Sequence, residues 1–252
     1  MSCDSSIDLR AKLQADEACI GAWLTVPSPL VSEAIACCGF DWMAVDFEHS
    51  PMDDSQIAAA FVAAERHRCV PFVRLANDSP EAARRMLDFG AQGLIVPNVE
   101  SADAFRRFAR HCFYPPHGAR GMALTRANLW GDAFDDYHDT FRPLLVAQIE
   151  TAAGIEAAGD IAALAEVDAL FLGPYDLSAS LGTAGKFDTA PFLRAADIFK
   201  EAGRAAGKPI GIHQVVPEIA ELRARIDEGY RFLAYGTDVI AMRHVFRNLT
   251  EL

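Results

Sequence analysis

Two acidic residues follow apolar stretches of this sequence in positions that suit a metal site. Residues 144–149 are apolar apart from Gln148, and Glu150 comes directly after them. Alternate residues of a strand face the same side, so Gln148 and Glu150 would project into one space. A second stretch, 167–172, is apolar apart from Asp168 and leads to Asp176. Because buried carboxylates are costly without a partner, the two acids suggest a hard divalent cation such as Mg2+ or Mn2+, although helix caps or salt bridges are the alternative.

Other residues with chemical potential stand at the ends of predicted strands. His49 could be a general base that Asp46 or Glu48 orients, and Arg74 could bind a carboxylate or a developing enolate oxygen. The structural alternatives are that His49 is only a hydrogen-bonded residue of the fold and that Arg74 forms an outward salt bridge. His213 is interpreted as structural, because it lies inside an apolar strand.

Two arginines lie in a long irregular stretch, residues 114–131. Loops of this length in a compact domain are often functional, so Arg120 and Arg126 suggest a role at the substrate or at a subunit interface. A solvated loop is the equally weighted alternative.

Short apolar strands alternate with helices along the chain, and this alternation predicts the elements that position these residues. The predicted strands are 19–26, 41–48, 69–75, 93–97, 144–150, 167–172, 209–215 and 231–235. The predicted helices are 7–17, before the first strand, and then 27–36, 53–66, 79–89, 102–112, 154–164, 191–206, 218–228 and 238–249. Eight strand–helix units predict an α/β fold of the (β/α)8 TIM-barrel type, as one domain over residues 1–252 with a short N-terminal helix. An open doubly wound sheet is the alternative, but no G-x-G-x-x-G motif follows the first strand.

The predicted barrel brings the polar residues at the strand ends to one site, because barrel enzymes carry their chemistry there. The strand-end residues are Thr25, Asp46, Glu48, His49, Arg74, Asn98, Gln148, Glu150, Asp176, His213, Gln214, Thr237 and Asp238. The segments after strands seven and eight hold a single glycine, which argues against a sugar-phosphate substrate. A Schiff-base mechanism is disfavoured, because no lysine ends a predicted strand.

Composition limits the partners and the compartment. The formal net charge of -12 over 252 residues makes nucleic acid and anionic membranes poor partners. The polar, acidic N-terminus is no secretory signal, and no run approaches the ~18 apolar residues of a membrane span, so we expect a cytoplasmic protein. The cysteines are predicted to be reduced thiols that act as small core residues: Cys3, Cys19, Cys37, Cys38, Cys69 and Cys112.

Five motifs in order resemble those of one known family. They are Asp-Phe-Glu-His-Ser-Pro at 46–51, Val-Arg at 73–74, Tyr-Pro-Pro-x-Gly-x-Arg-Gly at 114–121, Gln-Ile-Glu at 148–150 and Gly-Pro-Tyr-Asp-Leu-Ser at 173–178. Together they resemble the HpcH/HpaI family of class II pyruvate aldolases, of the 4-hydroxy-2-oxoheptanedioate aldolase type. The resemblance extends over nearly the whole chain.

The resemblance implies a role for each of the candidate residues. Glu150 and Asp176 would ligate a divalent metal (Mg2+, Mn2+ or Co2+). Arg74 would hold the pyruvate oxygens and stabilise the enolate. His49, paired with Asp46, would transfer protons through a metal-bound water.

Further implications concern the substrate and the assembly. Gln148 would contact substrate, and the backbone N–H groups of Tyr175 and Asp176 would receive the pyruvate carboxylate. The family typically forms a homo-hexamer, a trimer of dimers with exchanged C-terminal helices, and Asp88 matches an acid that helps to complete a neighbouring subunit's site. Phe47 and Tyr175 are larger than the residues common at these positions, which leaves the preferred aldehyde open.

The expected reaction is the reversible cleavage of a 4-hydroxy-2-oxo acid to pyruvate, or a related 2-oxo acid, and an aldehyde. The alternatives are an oxaloacetate decarboxylase or a lyase of acyl-CoA thioesters that uses the same enolate. A non-catalytic binder of 2-oxo acids on the same scaffold is a third, less favoured interpretation.

Overall fold

Eight parallel strands close into a barrel in chain order, which confirms the predicted (β/α)8 architecture. The computed structural model describes residues 6–247. The strands are β1 (Cys19–Leu24), β2 (Trp42–Asp46), β3 (Val70–Arg74), β4 (Gly93–Val96), β5 (Leu144–Ile149), β6 (Ala169–Leu172), β7 (Ile210–Gln214) and β8 (Tyr230–Thr237). Each predicted strand overlaps an observed one, because strands buried on both faces read as continuous apolar runs.

Helices pack around the barrel, and those between α1 and α12 connect successive strands. They are α1 (Ser6–Gln14), α2 (Pro29–Ala36), α3 (Asp54–Arg66), α4 (Pro80–Phe89), α5 (Ala102–Ala109), α6 (Phe134–Thr140), α7 (Ala152–Glu156), α8 (Ala158–Ala162), α9 (Pro174–Ser180), α10 (Ala190–Ala206), α11 (Ile219–Asp227) and α12 (Asp238–Arg247). The short N-terminal helix is confirmed. The predicted end of the last helix, at residue 249, lies outside the described residues.

Four helical segments differ from the prediction, among them α9, which no predicted helix covers. The predicted helix 154–164 is two short helices, α7 and α8, that meet at Ala157. The stretch 114–131 ends in a 3-10 turn at Arg126–Gly131, and α6 follows it. Helix α6 is short and rich in aspartate, so it carries no apolar periodicity to reveal it.

Two apolar layers hold the barrel together. The inner layer fills the barrel with large rings, among them Trp42, Phe72 and Phe232, and Leu9 and Leu13 of α1 belong to the same cluster. The Trp42 and Phe232 rings stack with their centroids 4.1 Å apart. A second cluster lies between the strands and the surrounding helices. Because the interior is filled by side chains, the expected place for an active site is where the strands end.

The cysteines within residues 6–247 divide between core and surface, and Cys3 lies outside the described residues. Cys19, Cys69 and Cys112 are buried, as predicted, whereas Cys37 and Cys38 are exposed. The prediction of a core position is therefore wrong for those two, which follow α2 in the surface turn that leads to β2. All five of these thiols are free. Within residues 6–247, no helix is long and apolar enough to cross a bilayer.

The seam between β1 and β8 is closed by Asp238, the first residue of α12. Its carboxylate accepts hydrogen bonds from the backbone N–H of Thr25 (2.9 Å), the Thr25 hydroxyl (2.6 Å) and the backbone N–H of Val26 (2.8 Å). It also accepts from the N–H of Val239 at 2.8 Å. Thr25 and Asp238, two of the polar strand-end residues, therefore join the first and last units of the barrel.

Replacing Asp238 with alanine should lower the free energy of unfolding by ~2–4 kcal/mol, because four hydrogen bonds to a buried carboxylate are lost together. Asp238→Asn keeps one acceptor oxygen and should lose less. Urea unfolding at a fixed protein concentration measures both variants. Two losses of equal size, or an alanine loss below about 0.5 kcal/mol, would show that the carboxylate does not hold the seam.

Candidate active site

An aspartate–arginine pair forms one side of the site. Asp46 ends β2 and Arg74 ends β3, and the two residues are partners in the register of these strands. Arg74 Nε donates to Asp46 Oδ1 at 3.0 Å, and Arg74 Nη2 donates to Asp46 Oδ2. This two-point contact fixes the plane of the guanidinium group, which only an arginine can present in this way.

Asp46 is buried and has several donors besides Arg74. Its Oδ1 accepts the backbone N–H groups of Glu48 and His49, both at 3.0 Å, and its Oδ2 accepts Trp23 Nε1–H at 3.2 Å. Burial alone would raise the pKa of Asp46, but the Arg74 guanidinium and these N–H donors outweigh it and hold the pKa below its usual value. Asp46 is therefore a fixed anion that holds Arg74, Trp23 and the backbone after β2 in place.

The expected pairing of the His49 side chain with Asp46 is wrong. Asp46 receives the backbone N–H of His49, whereas the His49 imidazole is exposed and lies 3.9 Å from Glu48, measured from Nε2 to Oε2. The reason is local: the Asp46 side chain turns back to bind the two N–H groups that follow it, and Arg74 takes its other contacts. Of the two predicted partners, Glu48 is the one beside the imidazole.

Glu48 connects this pair to the acidic side of the site. Its Oε2 lies 3.2 Å from Arg74 Nη1. Burial raises the pKa of Glu48, and the nearby charges of Asp46 and Asp176 act in the same direction against the opposing effects of Arg74 and His49. A half-buried carboxylate thus faces other carboxylates across the mouth of the barrel.

Glu150 lies at the end of β5 with only 2% of its surface exposed. Its Oε1 accepts the backbone N–H of Asn98 at 2.7 Å, and its Oε2 accepts Gln148 Nε2–H at 2.5 Å. Burial raises the pKa of Glu150 to about 7, and the charges of Asp176 and Glu48 add to the increase. Asn98 adopts a left-handed backbone conformation (φ 52°), which places its N–H against this carboxylate.

Gly173 leaves the space that Glu150 occupies. A Cβ at this position would lie 2.5 Å from Glu150 Oε2 and 2.7 Å from Glu150 Cβ, so any larger residue would displace the carboxylate. Asp176 follows in the first turn of α9, and its side chain is exposed. Pro174 begins this helix, and the N–H groups of Tyr175 and Asp176 belong to its first turn, where no acceptor within the helix is available.

The donor set fits a divalent cation held by two protein carboxylates. Glu48, Glu150 and Asp176 repel one another, and a cation between Glu150 and Asp176 would relieve this repulsion. Gln148 Oε1 is buried and has no hydrogen-bond partner among residues 6–247. That part of the chain contains no group of three or more His, Cys, Asp or Glu side chains placed to hold a metal, so the other ligands would be water or substrate oxygens.

The remaining predicted residues lie elsewhere or have structural partners. Asp88 is in the last turn of α4, which leads into the start of β4, so it lies at the opposite end of the barrel from Glu150. Its Oδ1 accepts Arg120 Nη2–H at 2.7 Å, and the Arg120 guanidinium lies over the Tyr114 ring at 4.6 Å. Arg126 pairs with Glu65 and donates to the carbonyl of Phe89 at 2.9 Å.

Three residues next to the candidate groups had no assigned role in the sequence analysis. Trp23 resembles any other core residue in a strand, and nothing local reveals its contact with Asp46. Asn98 was visible as a polar residue at a strand end, and Gly173 as the start of a motif, but their contacts with Glu150 depend on the folded chain.

Comparisons with known proteins find relatives along nearly the whole chain. The profile of the family described as HpcH/HpaI aldolase/citrate lyase matches residues 19–245. The chain is 38% identical over 238 residues to the hydroxypyruvate/pyruvate aldolase of Delftia acidovorans, which covers 93% of this chain and 87% of that protein. It is 32% identical over 244 residues to the 5-keto-4-deoxy-D-glucarate aldolase of Salmonella paratyphi A, with 96% and 94% covered. A crystal structure of a protein of this family from Burkholderia cenocepacia J2315 has a TM-score of 0.91 at 32% identity, with 97% and 98% covered.

Proposed function

The chain belongs to the HpcH/HpaI aldolase/citrate lyase family and is a carbon–carbon lyase, and we propose that it is a divalent-metal-dependent aldolase of 2-oxo acids. It would cleave 4-hydroxy-2-oxo acids reversibly to an aldehyde and a three-carbon 2-oxo acid, either pyruvate or hydroxypyruvate. The observation that carries this proposal is that a buried carboxylate, Glu150, and a rigidly held cation, Arg74, lie at the same end of the barrel.

The chemical difficulty of the reaction is the negative charge that develops on the keto oxygen when the enolate forms. Arg74 supplies fixed positive charge for this oxygen, and Asp46 and Glu48 hold its guanidinium in place before substrate arrives. When held by Glu150 and Asp176, a divalent cation would act as a Lewis acid and make the methyl protons of the 2-oxo acid more acidic.

Proton transfer at the aldehyde oxygen is assigned to His49. Its imidazole is exposed at the mouth of the barrel, where Nε2 can protonate the alkoxide oxygen that forms when the enolate adds to the aldehyde, or take the hydroxyl proton in the cleavage direction. Asp46 supports this step indirectly, because it binds the backbone N–H of His49 and so fixes where the side chain begins.

The substrate carboxylate is assigned to the first turn of α9. The N–H groups of Tyr175 and Asp176 point away from the helix without intrahelical acceptors, and helix N-termini favour anions. Gln148 is proposed to contact the substrate from β5, where its Oε1 lacks a donor within the described chain. Phe47 and the exposed ring of Tyr175 are proposed to border the aldehyde.

We further propose that the enzyme is a cytoplasmic homo-hexamer. The exposed apolar side chains of α12 favour assembly, because Val245 and Phe246 are 66% and 64% exposed in the single chain. Asp88 lies at the far end of the barrel from Glu150, so it could only serve the site of another copy. The exposed free thiols Cys37 and Cys38 suit a reducing compartment. Light scattering on the purified protein tests the assembly.

Removing divalent metal should abolish carbon–carbon cleavage. Pyruvate release from 4-hydroxy-2-oxo acids would be followed after chelation, with metal loss verified by elemental analysis, and after return of Mg2+, Mn2+ or Co2+. We expect loss of activity and its recovery, and full activity in verified metal-free protein would refute the proposal. Parallel assays with oxaloacetate and malyl-CoA-type thioesters test the two lyase alternatives, and a panel of aldehydes with pyruvate identifies the acceptor.

A further inference from the structure

His213 lies inside the barrel beside the site and takes no part in the proposed chemistry. Its imidazole stacks on the indole of Trp23, with the ring centroids 4.6 Å apart and the planes 26° from parallel. Its Nε2 lies 3.4 Å from the carbonyl oxygen of Gly236 and 3.4 Å from the Thr237 hydroxyl. The ring is therefore held between β8 on one side and a residue of β1 on the other.

Trp23 connects this histidine to the catalytic pair. Its Nε1–H donates to Asp46 Oδ2 at 3.2 Å, and the Arg74 guanidinium lies 5.1 Å from the centre of its ring. The ring of Phe171 is nearly parallel to the indole, with the centroids 6.0 Å apart. Any rotation of Trp23 would break the contact with Asp46 and remove the surface on which Arg74 rests.

We propose that His213 is a positioning residue, which acts through the Trp23 indole to fix the Asp46–Arg74 pair that faces the substrate. The expected effect of His213 on catalysis rests on the proposed function. The contact of His213 with Trp23 rests on geometry alone. A flat ring at position 213 is what the stack requires, whereas a small residue would leave the indole free to turn.

Electrostatics favour the neutral form of this ring. Burial lowers the pKa of His213 to about 4. The Gly236 carbonyl opposes burial with a smaller effect, the positive charge of Arg74 lowers the pKa further, and Asp46 has the smallest effect and raises it. The imidazole therefore stacks as an uncharged ring near neutral pH. It does not compete with Arg74 for Asp46.

Two substitutions test whether a flat ring at position 213 is needed to hold Trp23 in place. His213→Ala removes the ring, and His213→Phe keeps a flat ring on the indole while removing both nitrogens. The chain has three tryptophans, so protein labelled with 5-fluorotryptophan gives three 19F signals, and Trp23→Phe identifies the one from Trp23. The turnover of pyruvate with an aldehyde is measured on the same metal-loaded samples.

We expect the Trp23 signal to shift and broaden in His213→Ala, and kcat to fall about tenfold, as small displacements of catalytic groups do, with KM for the 2-oxo acid changed less than twofold. His213→Phe should keep the Trp23 signal and at least a third of the wild-type kcat. An unchanged Trp23 signal in His213→Ala, or equal losses of kcat in both variants, would overturn the proposal. If the wild type shows no turnover, the proposed function fails, and the 19F comparison still decides whether His213 fixes Trp23.

Discussion

Replacing Arg74 with lysine should lower kcat for 2-oxo acid turnover by about 10^2–10^3-fold, the usual cost of losing a donor aimed at a developing oxyanion. Lysine keeps the positive charge but cannot make the two-point contact with Asp46 or reach Glu48 from the same position. Steady-state kinetics with saturating metal measure the effect. An unchanged kcat would show that the geometry of the guanidinium is not used.

Arg74→Ala serves as the comparison for stability. It leaves Asp46 buried without its main counter-charge, so we expect ~3–5 kcal/mol of lost stability, compared with a small loss for Arg74→Lys. The double variant Arg74→Ala, Asp46→Ala should recover part of that stability without recovering activity. This pattern separates the role of Arg74 in folding from its role in the reaction.

Replacing Glu150 with glutamine should abolish divalent-metal binding and turnover while leaving the barrel folded. Glutamine has nearly the same volume, and its Oε1 can still accept the N–H of Asn98. Its amide nitrogen can donate to the unpaired Gln148 Oε1 once that amide turns over. Calorimetric titration with Mn2+ measures the affinity, and an unchanged affinity would refute the assignment of Glu150 as a ligand.

The same substitution should make the metal-free protein more stable above neutral pH. The pKa of Glu150 is raised from 4.5 to about 7 by burial, so between these values the unfolded chain releases its proton before the folded chain does. The wild type therefore loses stability as the pH rises through this window, and the loss amounts to about 3 kcal/mol at most. Glu150→Gln removes this loss, and its advantage should vanish near pH 4.5. Thermal unfolding of both metal-free proteins across this range measures the difference.

Most strands of the barrel can be predicted from the sequence, because buried parallel strands are continuous apolar runs. The stretch from Leu144 to Glu150 predicts both the strand and the position at its end where the polar candidate residues begin. Helix α9 was not predicted, because residues 178–189 resemble a loop and the Pro174 start signal lies directly after a strand. Helix α6 was missed because its polar sequence shows no buried face.

The positions of the candidate residues at the strand ends were easier to predict than their hydrogen-bond partners. Asp46 and His49 are neighbours in sequence, and this proximity suggested a side-chain pair that the tight turn after β2 prevents. Asp46 instead pairs with a residue on the next strand, a contact set by strand register. The contact of Trp23 with Asp46 depends on how two strands twist inside a closed barrel, and no local pattern encodes it.

Exchange of the methyl protons of pyruvate in D2O tests the central claim most directly, because it reports enolate formation without any assumption about the aldehyde. The account predicts that Mg2+-loaded wild type exchanges these protons, that verified metal removal stops the exchange, and that Glu150→Gln stays inactive with Mg2+ present. Undiminished exchange by metal-free protein, or no exchange by the loaded wild type, would contradict it.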